Sequence, residues 1–288
     1  IFFTRSTDYG QTWSTPVMLS SASDGNDSME PDIAIWENNV YVAWYDQEHN
    51  SLNPVKNIWF INSSDGGNTW YVARQITNFT AGCGSYAPKL AVNSTYIHVA
   101  YGNTTPEYDE NNNLHWVEEV FYMRSVDGGK TWKPYLNLSV ADDICTSLIK
   151  DIACHKNHVY VIWREGKDPA DEVYFIKSDD NGETWSKEKR LSVNDGYESD
   201  PTAISANGSK VIVVWMDEKD SYPYSGAYEI YYRVSKDYGN IWLPEVRLTY
   251  AVNESYHPDV AIKDGYWHIV WYDNRTGGDE IYYKRHPG

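Results

Sequence analysis

The 288-residue sequence lacks a long apolar run, and it is poor in basic residues. A membrane-spanning helix needs about 18 or more consecutive apolar residues, so no membrane insertion is expected. Lys and Arg number 24 against 41 Asp and Glu, which gives a formal net charge of −17. Such an acidic chain repels polyanions. Nucleic acids and anionic membrane surfaces are therefore excluded as expected partners.

Helical periodicity is also missing. The dominant pattern is instead a repeated eight-residue signature, S-x-D-x-G-x-T-W. The five copies begin at Ser6, Ser63, Ser125, Ser178 and Ser235, and the last has Ile241 in place of Thr. Their aspartates are 57, 62, 53 and 57 residues apart. A repeat on this scale indicates an array of similar supersecondary units that bury their faces against one another.

The chemistry of the signature predicts a structural role. Asp and Ser side chains hydrogen-bond nearby backbone N–H groups and hold turns. The Gly permits a positive φ, and the Trp covers the turn and fills space between neighbouring units. Because the signature recurs in every unit, we interpret it as a folding device and not as a catalytic site.

The sequence around each signature predicts strands. Short β-branched and aromatic runs occupy residues 31–35, 40–44, 58–61 and 74–76, and a similar set recurs near the C-terminus. Turn pairs such as Asn38-Asn39 and Asp264-Gly265 separate the first two runs. These runs predict an all-β fold of four-stranded antiparallel units. Four-stranded units that repeat radially form a β-propeller.

The signatures resemble the Asp boxes, or bacterial neuraminidase repeats, of the sialidase superfamily. They extend over essentially the whole chain, so the resemblance implies one propeller domain over residues 1–288. Asp boxes occur in sialidases, in other glycosidases and in non-enzymatic propellers. The resemblance therefore implies the fold more strongly than any activity.

The number of blades has two interpretations. Five first-and-second strand pairs accompany six third strands, because residues 1–5 resemble residues 281–285. The sequence also starts at Ile1, in the middle of a unit. We expect a six-bladed propeller with an incomplete first blade, truncated at the N-terminus. The alternative is a five-bladed ring, and in either case N-terminal strands complete the last blade.

Cysteine and histidine are scarce, with three and eight residues. Cys83 and Cys145 each lie five residues before the start of a first strand, at matching repeat positions, which predicts a disulfide between them. Cys154 lies inside a predicted strand and is expected to be a buried thiol. The histidines show no metal-ligand spacing. No metal and no cofactor are expected.

N-glycosylation sequons are dense, with nine against roughly three expected from composition. They are Asn26, Asn62, Asn78, Asn93, Asn103, Asn137, Asn207, Asn253 and Asn274. Crowding of Asn, Ser and Thr into turns explains part of the excess. The remainder favours a secreted or cell-surface glycoprotein.

A ligand is expected at the end of the blades opposite the boxes. This loop end comprises the residues before each first strand and after each second strand. Its chemistry-bearing residues are Glu30, Asp32, Asp46, Glu48, His49, Tyr86, Lys89, Lys150, Asp151, Arg164, Glu165, Asp200, Asp217, Glu218, Tyr256, His257, Asp259, Asp273 and Arg275. Many of them recur by repeat, which favours a structural role for each one. Arg164 and Lys89 break the repeat, which makes them the most informative members.

The sialidase resemblance implies a particular catalytic set. Three arginines clamp the substrate carboxylate, a Tyr assisted by a Glu attacks the anomeric carbon, and an Asp acts as acid and base. Glu30 with Pro31 matches the family's Glu-Pro, Arg164 matches the Arg that ends the next strand, and Tyr256 lies at the family's Tyr position. Arg275 is a further candidate for the clamp.

The catalytic set is incomplete within any one repeat. Tyr45 stands where the unit of Glu30 should carry the Arg, and Lys150 stands where the unit of Arg164 should carry the Glu-Pro. Tyr86 also shares the repeat position of Tyr256. The family's first Arg and its Asp are expected upstream of Ile1.

Two functions follow. The sequence favours a monomeric extracellular propeller that binds glycans or a cell-surface protein through its loop end, without catalysis. The alternative is a glycoside hydrolase, most specifically an exo-sialidase. We predict that Arg164 and Arg275 do not form an arginine triad near Tyr256.

Overall fold

The computed structural model describes residues 1–21, 25–47, 55–79, 83–108, 111–139, 145–220, 228–251 and 253–287. Over these ranges every regular element is a β-strand. Within them, no helix has the length and apolarity needed to cross a membrane. The chain divides into two compact units, Ile1–Asn137 and Leu138–Gly288.

The first unit contains a two-stranded sheet and two four-stranded groups. Strands β1 (Phe2–Phe3) and β2 (Val17–Met18) form the small sheet. The first group is β3 (Asp27–Trp36), β4 (Asn39–Gln47), β5 (Lys56–Ser63) and β6 (Arg74–Gln75). The second group is β7 (Gly84–Asn93), β8 (Tyr96–Tyr108), β9 (Leu114–Ser125) and β10 (Leu136–Asn137). A parallel bridge between Lys56 and Gly84 joins the groups.

The second unit contains three antiparallel sheets. The first is β11 (Ser147–His155), β12 (His158–Glu165), β13 (Glu172–Ser178) and β14 (Lys189–Arg190). The next is β15 (Ser199–Asn207), β16 (Lys210–Asp217), β17 (Glu229–Ser235) and β18 (Val246–Arg247). The last has three strands, β19 (Ser255–Lys263), β20 (Tyr266–Asp273) and β21 (Glu280–Pro287). Four groups thus have the expected four strands, and the blade number stays a prediction.

Each box lies in the turn between a third and a fourth strand, as the sequence predicts. The box turn also meets the turn between the first two strands of its own sheet. Gly66 N–H donates to Asn38 O at 2.7 Å, and Gly128 N–H donates to Thr95 O at 3.0 Å. Both turns therefore lie at the same end of the sheet. The expected turn at Asn38-Asn39 is displaced by one residue, because Glu37 takes the positive φ of 53°.

The third box shows how the signature holds its turn. Ser125 Oγ donates to Asp127 Oδ1 at 2.8 Å and accepts from Gly129 N–H at 2.8 Å. The two Asp127 oxygens accept from Thr131 N–H at 2.9 Å and from Thr131 Oγ1 at 2.7 Å. Gly129 has φ +84°, and a Cβ there would lie 2.7 Å from the Phe60 ring. The turn therefore requires glycine for conformation and for space.

Two box tryptophans pack onto the preceding sheet within the same unit. Trp132 meets Phe60 edge to face with ring centroids 5.1 Å apart, and Trp242 meets Phe175 at 5.0 Å. The largest fully buried side chains, Trp44, Trp163 and Trp215, come from second strands. The second strands thus carry the core of the sheets.

The disulfide expected between Cys83 and Cys145 is wrong, since all three cysteines carry thiols. An equal offset within the repeat is not enough, because a bridge needs Cα atoms roughly 4.4–6.8 Å apart. Cys154 is half-buried rather than buried.

Among the sequons, Asn78, Asn207 and Asn253 are exposed. Asn93 and Asn103 are buried, and Asn103 is inside a strand pair, where it accepts a hydrogen bond from Ser85. A glycan cannot occupy Asn103 in this fold.

Candidate functional site

Several carboxylates of the loop end are structural. Trp44 Nε1 donates to Asp46 at 2.7 Å, and Trp163 Nε1 donates to Glu165 at 2.9 Å. The same pairing of a Trp with the acid two residues later recurs at Asp217 and Asp273. A buried Ser of the first strand donates to the same carboxylate in the second unit's sheets. These acids therefore anchor the ends of second strands and are not available to a ligand.

Two aspartates of the loop end connect neighbouring first strands. Asp32 Oδ2 accepts from Leu90 N–H at 2.6 Å, and Asp151 Oδ2 accepts from Ile204 N–H at 2.9 Å. Burial raises the pKa of Asp32, although the Leu90 bond opposes the rise. Both residues lie at β-bulges, which direct the carboxylate toward the next sheet.

Glu30 lies in the bulge of β3, exposed and with φ +50°. Burial is the main cause of the raised pKa values of Tyr45 and Tyr86, and the negative charge of Glu30 raises both further. Lys56 Nζ lies 5.6 Å from the Tyr45 ring centroid and 5.3 Å from that of Tyr86. The Tyr86 ring covers Gly102, where a Cβ would be 2.6 Å from it. Glu30 therefore borders an aromatic and cationic cluster in the first unit.

Tyr256 belongs to an aromatic cluster in the second unit. Its ring meets Tyr272 edge to face at 4.5 Å, and the His257 ring lies 5.4 Å from that of Tyr272. The Tyr256 hydroxyl accepts from Asn274 Nδ2 at 3.4 Å. Desolvation, followed by the charges of Asp279 and Glu254, raises its pKa. A raised pKa disfavours the phenolate that a nucleophilic tyrosine requires.

The two candidate arginines are both engaged by acids of their own sheets. Arg164 Nε lies 3.3 Å from Asp171 Oδ2. Arg275 Nε donates to Asp273 Oδ1 at 2.8 Å, and its guanidinium lies 4.4 Å from the Tyr282 ring centroid. The bond to Arg275 helps to hold the pKa of Asp273 well below its ordinary value, against the opposing effect of desolvation. None of these contacts joins either arginine to Tyr256, and their catalytic roles stay predictions.

The remaining loop-end candidates have simpler positions. Lys150 pairs with Asp200 at 2.7 Å. Lys89 is on β7, opposite Ala100. Glu48 and His49 lie outside the described residues.

Sequence reasoning missed a cluster around a buried acid at the start of β13. Glu172 is fully buried, and Ser192 Oγ donates to its Oε2. Its Oε1 has no hydrogen-bond partner among the described residues. Arg190 pairs instead with Asp168 at 3.0 Å, and the Tyr174 hydroxyl donates to the same Asp at 3.0 Å. Burial raises the pKa of Glu172 to about 7.

The next sheet builds the same cluster with a different pairing. Glu229 receives Arg247 Nη2 at 2.9 Å and a hydrogen bond from Thr249 Oγ1. Arg247 also contacts Asp220 at 2.9 Å. The repeated Glu-x-Tyr that opens the third strands, at Glu172, Glu229 and Glu280, was the available signal. Recurrence in successive sheets identifies it as part of the fold.

Metal ligation has no support in the part of the chain that the structure describes, which contains no group of three or more His, Cys, Asp or Glu able to hold an ion. The loop end instead offers tyrosines, amides and paired charges. Such a surface is suited to contacting polar ligands with aromatic faces.

Solved structures with a similar fold include sialidases and another glycosidase. A variant of the NanB sialidase from Streptococcus pneumoniae superposes with a TM-score of 0.60 at 10% identity, over 94% of this chain and 63% of that one. This chain thus spans less than two thirds of that sialidase. The intramolecular trans-sialidase from Ruminococcus gnavus gives 0.60 at 12% identity, over 92% and 84% of the two chains.

An α-L-arabinanase from Penicillium chrysogenum gives a TM-score of 0.57 at 12% identity, over 91% of this chain and 81% of that one. Identities this low establish the fold alone. No curated protein matches the chain significantly. The model of the BNR repeat-like domain matches residues 1–269. The chain therefore belongs to the BNR repeat-like family and has the all-β, sialidase-like propeller fold.

Proposed function

We propose that this protein is a non-catalytic extracellular propeller that binds glycans through its loop end. The observation that carries the proposal is the cluster of Tyr256, Tyr272 and His257, which lies beside the amide of Asn274. Aromatic faces give apolar contact to the C–H side of a sugar ring, and neighbouring amides satisfy its hydroxyls. A cell-surface protein is the other partner class that the sequence suggests. A glycosylated cell-surface protein would belong to both partner classes.

The state of the loop-end groups supports binding over catalysis. A nucleophilic tyrosine must ionise readily, whereas burial and nearby acids raise the pKa values of both Tyr256 and Tyr86. A carboxylate clamp needs arginines with open donors. Arg164 and Arg275 already contact Asp171 and Asp273.

The test is a glycan-array screen of the full chain, followed by titration calorimetry with the best ligand. We expect Tyr272→Ala and Tyr256→Ala each to weaken binding about tenfold or more, because each removes an aromatic face. Tyr197→Ala is the matched control, since Tyr197 is exposed and lies outside the cluster. Binding that is unchanged in both cluster variants would refute the proposed site.

The alternative function is glycoside hydrolysis, most specifically exo-sialidase activity. Its support is the fold shared with sialidases and an arabinanase. We expect no hydrolysis of a fluorogenic sialoside. Turnover that disappears in Tyr256→Phe, with stability unchanged, would make the hydrolase alternative correct.

Secretion or display at the cell surface belongs to the same proposal. Its support is the exposure of the sequon residues Asn78, Asn207 and Asn253. Mass spectrometry of the protein from its natural source should find glycans at one or more of these positions. Unmodified peptides covering all three would argue against the extracellular location.

A further inference from the structure

A groove of about 540 Å³ lies in the first unit, at the box end and not at the loop end. Its walls come from the start of β4, the end of β5, β6 and the box turn after β9. Asn39 begins β4 and Asn62 lies near the end of β5. Both residues lie next to the turns at the box end of the sheet, and so does the groove. The groove is therefore separate from the proposed loop-end site.

The groove presents apolar surface that the described residues of its unit leave exposed. Tyr71 is 58% exposed and Val72 is 88% exposed, although both line the groove. The Tyr71 hydroxyl lies 3.2 Å from Ser64 Oγ, which gives the ring a fixed neighbour. An exposed aromatic ring in a concave wall offers a stacking surface to a ligand.

The same groove has an excess of positive charge in a strongly acidic protein. Arg74 and Lys130 line it, and among the described residues neither forms an ion pair. Arg74 is positioned by the Phe60 ring, whose centroid is 5.6 Å from the guanidinium carbon, and by Asn62 Oδ1 at 3.4 Å. Its Nε is buried and has no hydrogen-bond acceptor in the part of the chain that the structure describes.

One acid also lines the groove, and its oxygens are engaged elsewhere. Asp127 accepts from Thr131 N–H, Thr131 Oγ1 and Ser125 Oγ within the box. It does not pair with either cation. Elsewhere in the chain arginines commonly contact carboxylates, as Arg190 and Arg247 do. Two cations without an acidic partner among the described residues, in a chain of net charge −17, indicate a site for an external anion.

We propose that this box-end groove binds an acidic glycan, with a pyranose ring against Tyr71 and its carboxylate or sulfate on Arg74 and Lys130. The aromatic wall selects a ring-shaped ligand with an apolar face, and the planar guanidinium suits a carboxylate or sulfate. Asn39 and Asn62 supply amide groups for sugar hydroxyls. The site is independent of the loop-end proposal, because it shares no residue with it.

The experiment is titration calorimetry of the full chain from a host that does not glycosylate Asn62. The probes are a galacturonic acid trisaccharide, a sulfated galactose trisaccharide and a neutral galactose trisaccharide, and the first two distinguish carboxylate from sulfate recognition. We expect saturable binding of one or both acidic probes, weakened by added salt, and about tenfold weaker binding or none for the neutral probe.

Three variants locate the site. Tyr71→Ala, Arg74→Gln and Lys130→Gln should each weaken acidic-probe binding about tenfold or more. Lys133→Gln is the matched control, since Lys133 is an exposed cation after the same box and lies outside the groove. If Arg74→Gln fails to fold, Lys130→Gln still tests the site, because Lys130 is exposed and its substitution leaves the core intact. Thermal unfolding monitors the fold of each variant.

Several results would overturn the proposal. They are equal binding of neutral and acidic probes, no binding of either acidic probe, and unchanged affinity in the Tyr71 and Lys130 variants. Tighter binding of a hexaglutamate peptide than of both acidic sugars would reassign the groove to acidic peptides. Loss of binding in Tyr256→Ala alone would place the ligand at the loop end instead.

Discussion

Glu172 makes the stability of its sheet depend on pH. The side chain is fully buried at the start of β13, and burial raises its pKa from an ordinary 4.5 to about 7. Below about pH 4.5 the carboxyl is protonated in the folded and the unfolded chain. Between pH 4.5 and 7 only the unfolded chain ionises, which favours unfolding. Stability contributed by this group is therefore present at low pH and is lost as pH rises through 7.

The pKa difference sets the size of this loss. Each pKa unit corresponds to about 1.4 kcal/mol, so a rise from 4.5 to about 7 corresponds to about 3 kcal/mol by linkage. Glu172→Gln keeps the shape of the protonated form and cannot ionise. Its amide oxygen can still accept from Ser192 Oγ, which also accepts from Val173 N–H at 2.8 Å. Relative to wild type, the variant should therefore gain about 3 kcal/mol between pH 4.5 and pH 8.

The assay is urea unfolding followed by tryptophan fluorescence, for wild type and Glu172→Gln, at several values from pH 4.5 to 8. Glu229→Gln is the matched control, because Glu229 opens the equivalent strand but contacts Arg247 at 2.9 Å. Removing that partner of a buried pair should destabilise by about 3 kcal/mol at pH 8. Parallel pH profiles for wild type and Glu172→Gln would show that burial does not hold the proton on Glu172.

Three further predictions concern the boxes and the last sheet. Gly129→Ala should lower the free energy of unfolding by more than Gly128→Ala, because both positions have positive φ but only the first Cβ meets Phe60. Urea unfolding should show that Gly128→Ala loses about 1–2 kcal/mol of unfolding free energy, which is the cost of placing an alanine in the left-handed backbone conformation. Ser178→Ala should cost about 1–3 kcal/mol by the same measurement, since Gly182 N–H and Asp180 lose a buried partner. Arg275→Gln should move acid unfolding to higher pH, because the lowered pKa of Asp273 contributes stability above its ordinary pKa of 3.8 that acid removes. An unchanged acid midpoint would contradict that pairing.

The box turns were predictable from the sequence because their interactions are local. Ser125, Asp127 and Thr131 bond within a few residues of one another. The Asp side chain selects the turn, and the glycine permits it, whatever surrounds them. Between such turns, the short β-branched and aromatic runs can be read as strands from the sequence alone.

The repeat also contained signals whose meaning needed the structure. The second strands repeat Trp-x-acid, as in Trp163 and Glu165. The sequence placed these recurring acids at the loop end, where recurrence favours a structural role, but it did not show their partners. The structure shows the indole and Ser147, from another strand, converging on the carboxylate. A side chain at a strand end can face solvent or its neighbour, and only the pairing register decides which.

The sequence could not predict which residues far apart along the chain contact one another. Cys83 and Cys145 share a repeat position without forming a disulfide, and Asn103 has a sequon in a buried strand pair. Glu172 and Glu229 open equivalent strands, yet only Glu229 receives an arginine. The sequence by itself determined the turns, the strands and the family, because these depend on residues close along the chain. The tertiary structure alone decided which charges are paired, buried or open to a ligand, because those states depend on distances of a few ångströms between distant residues.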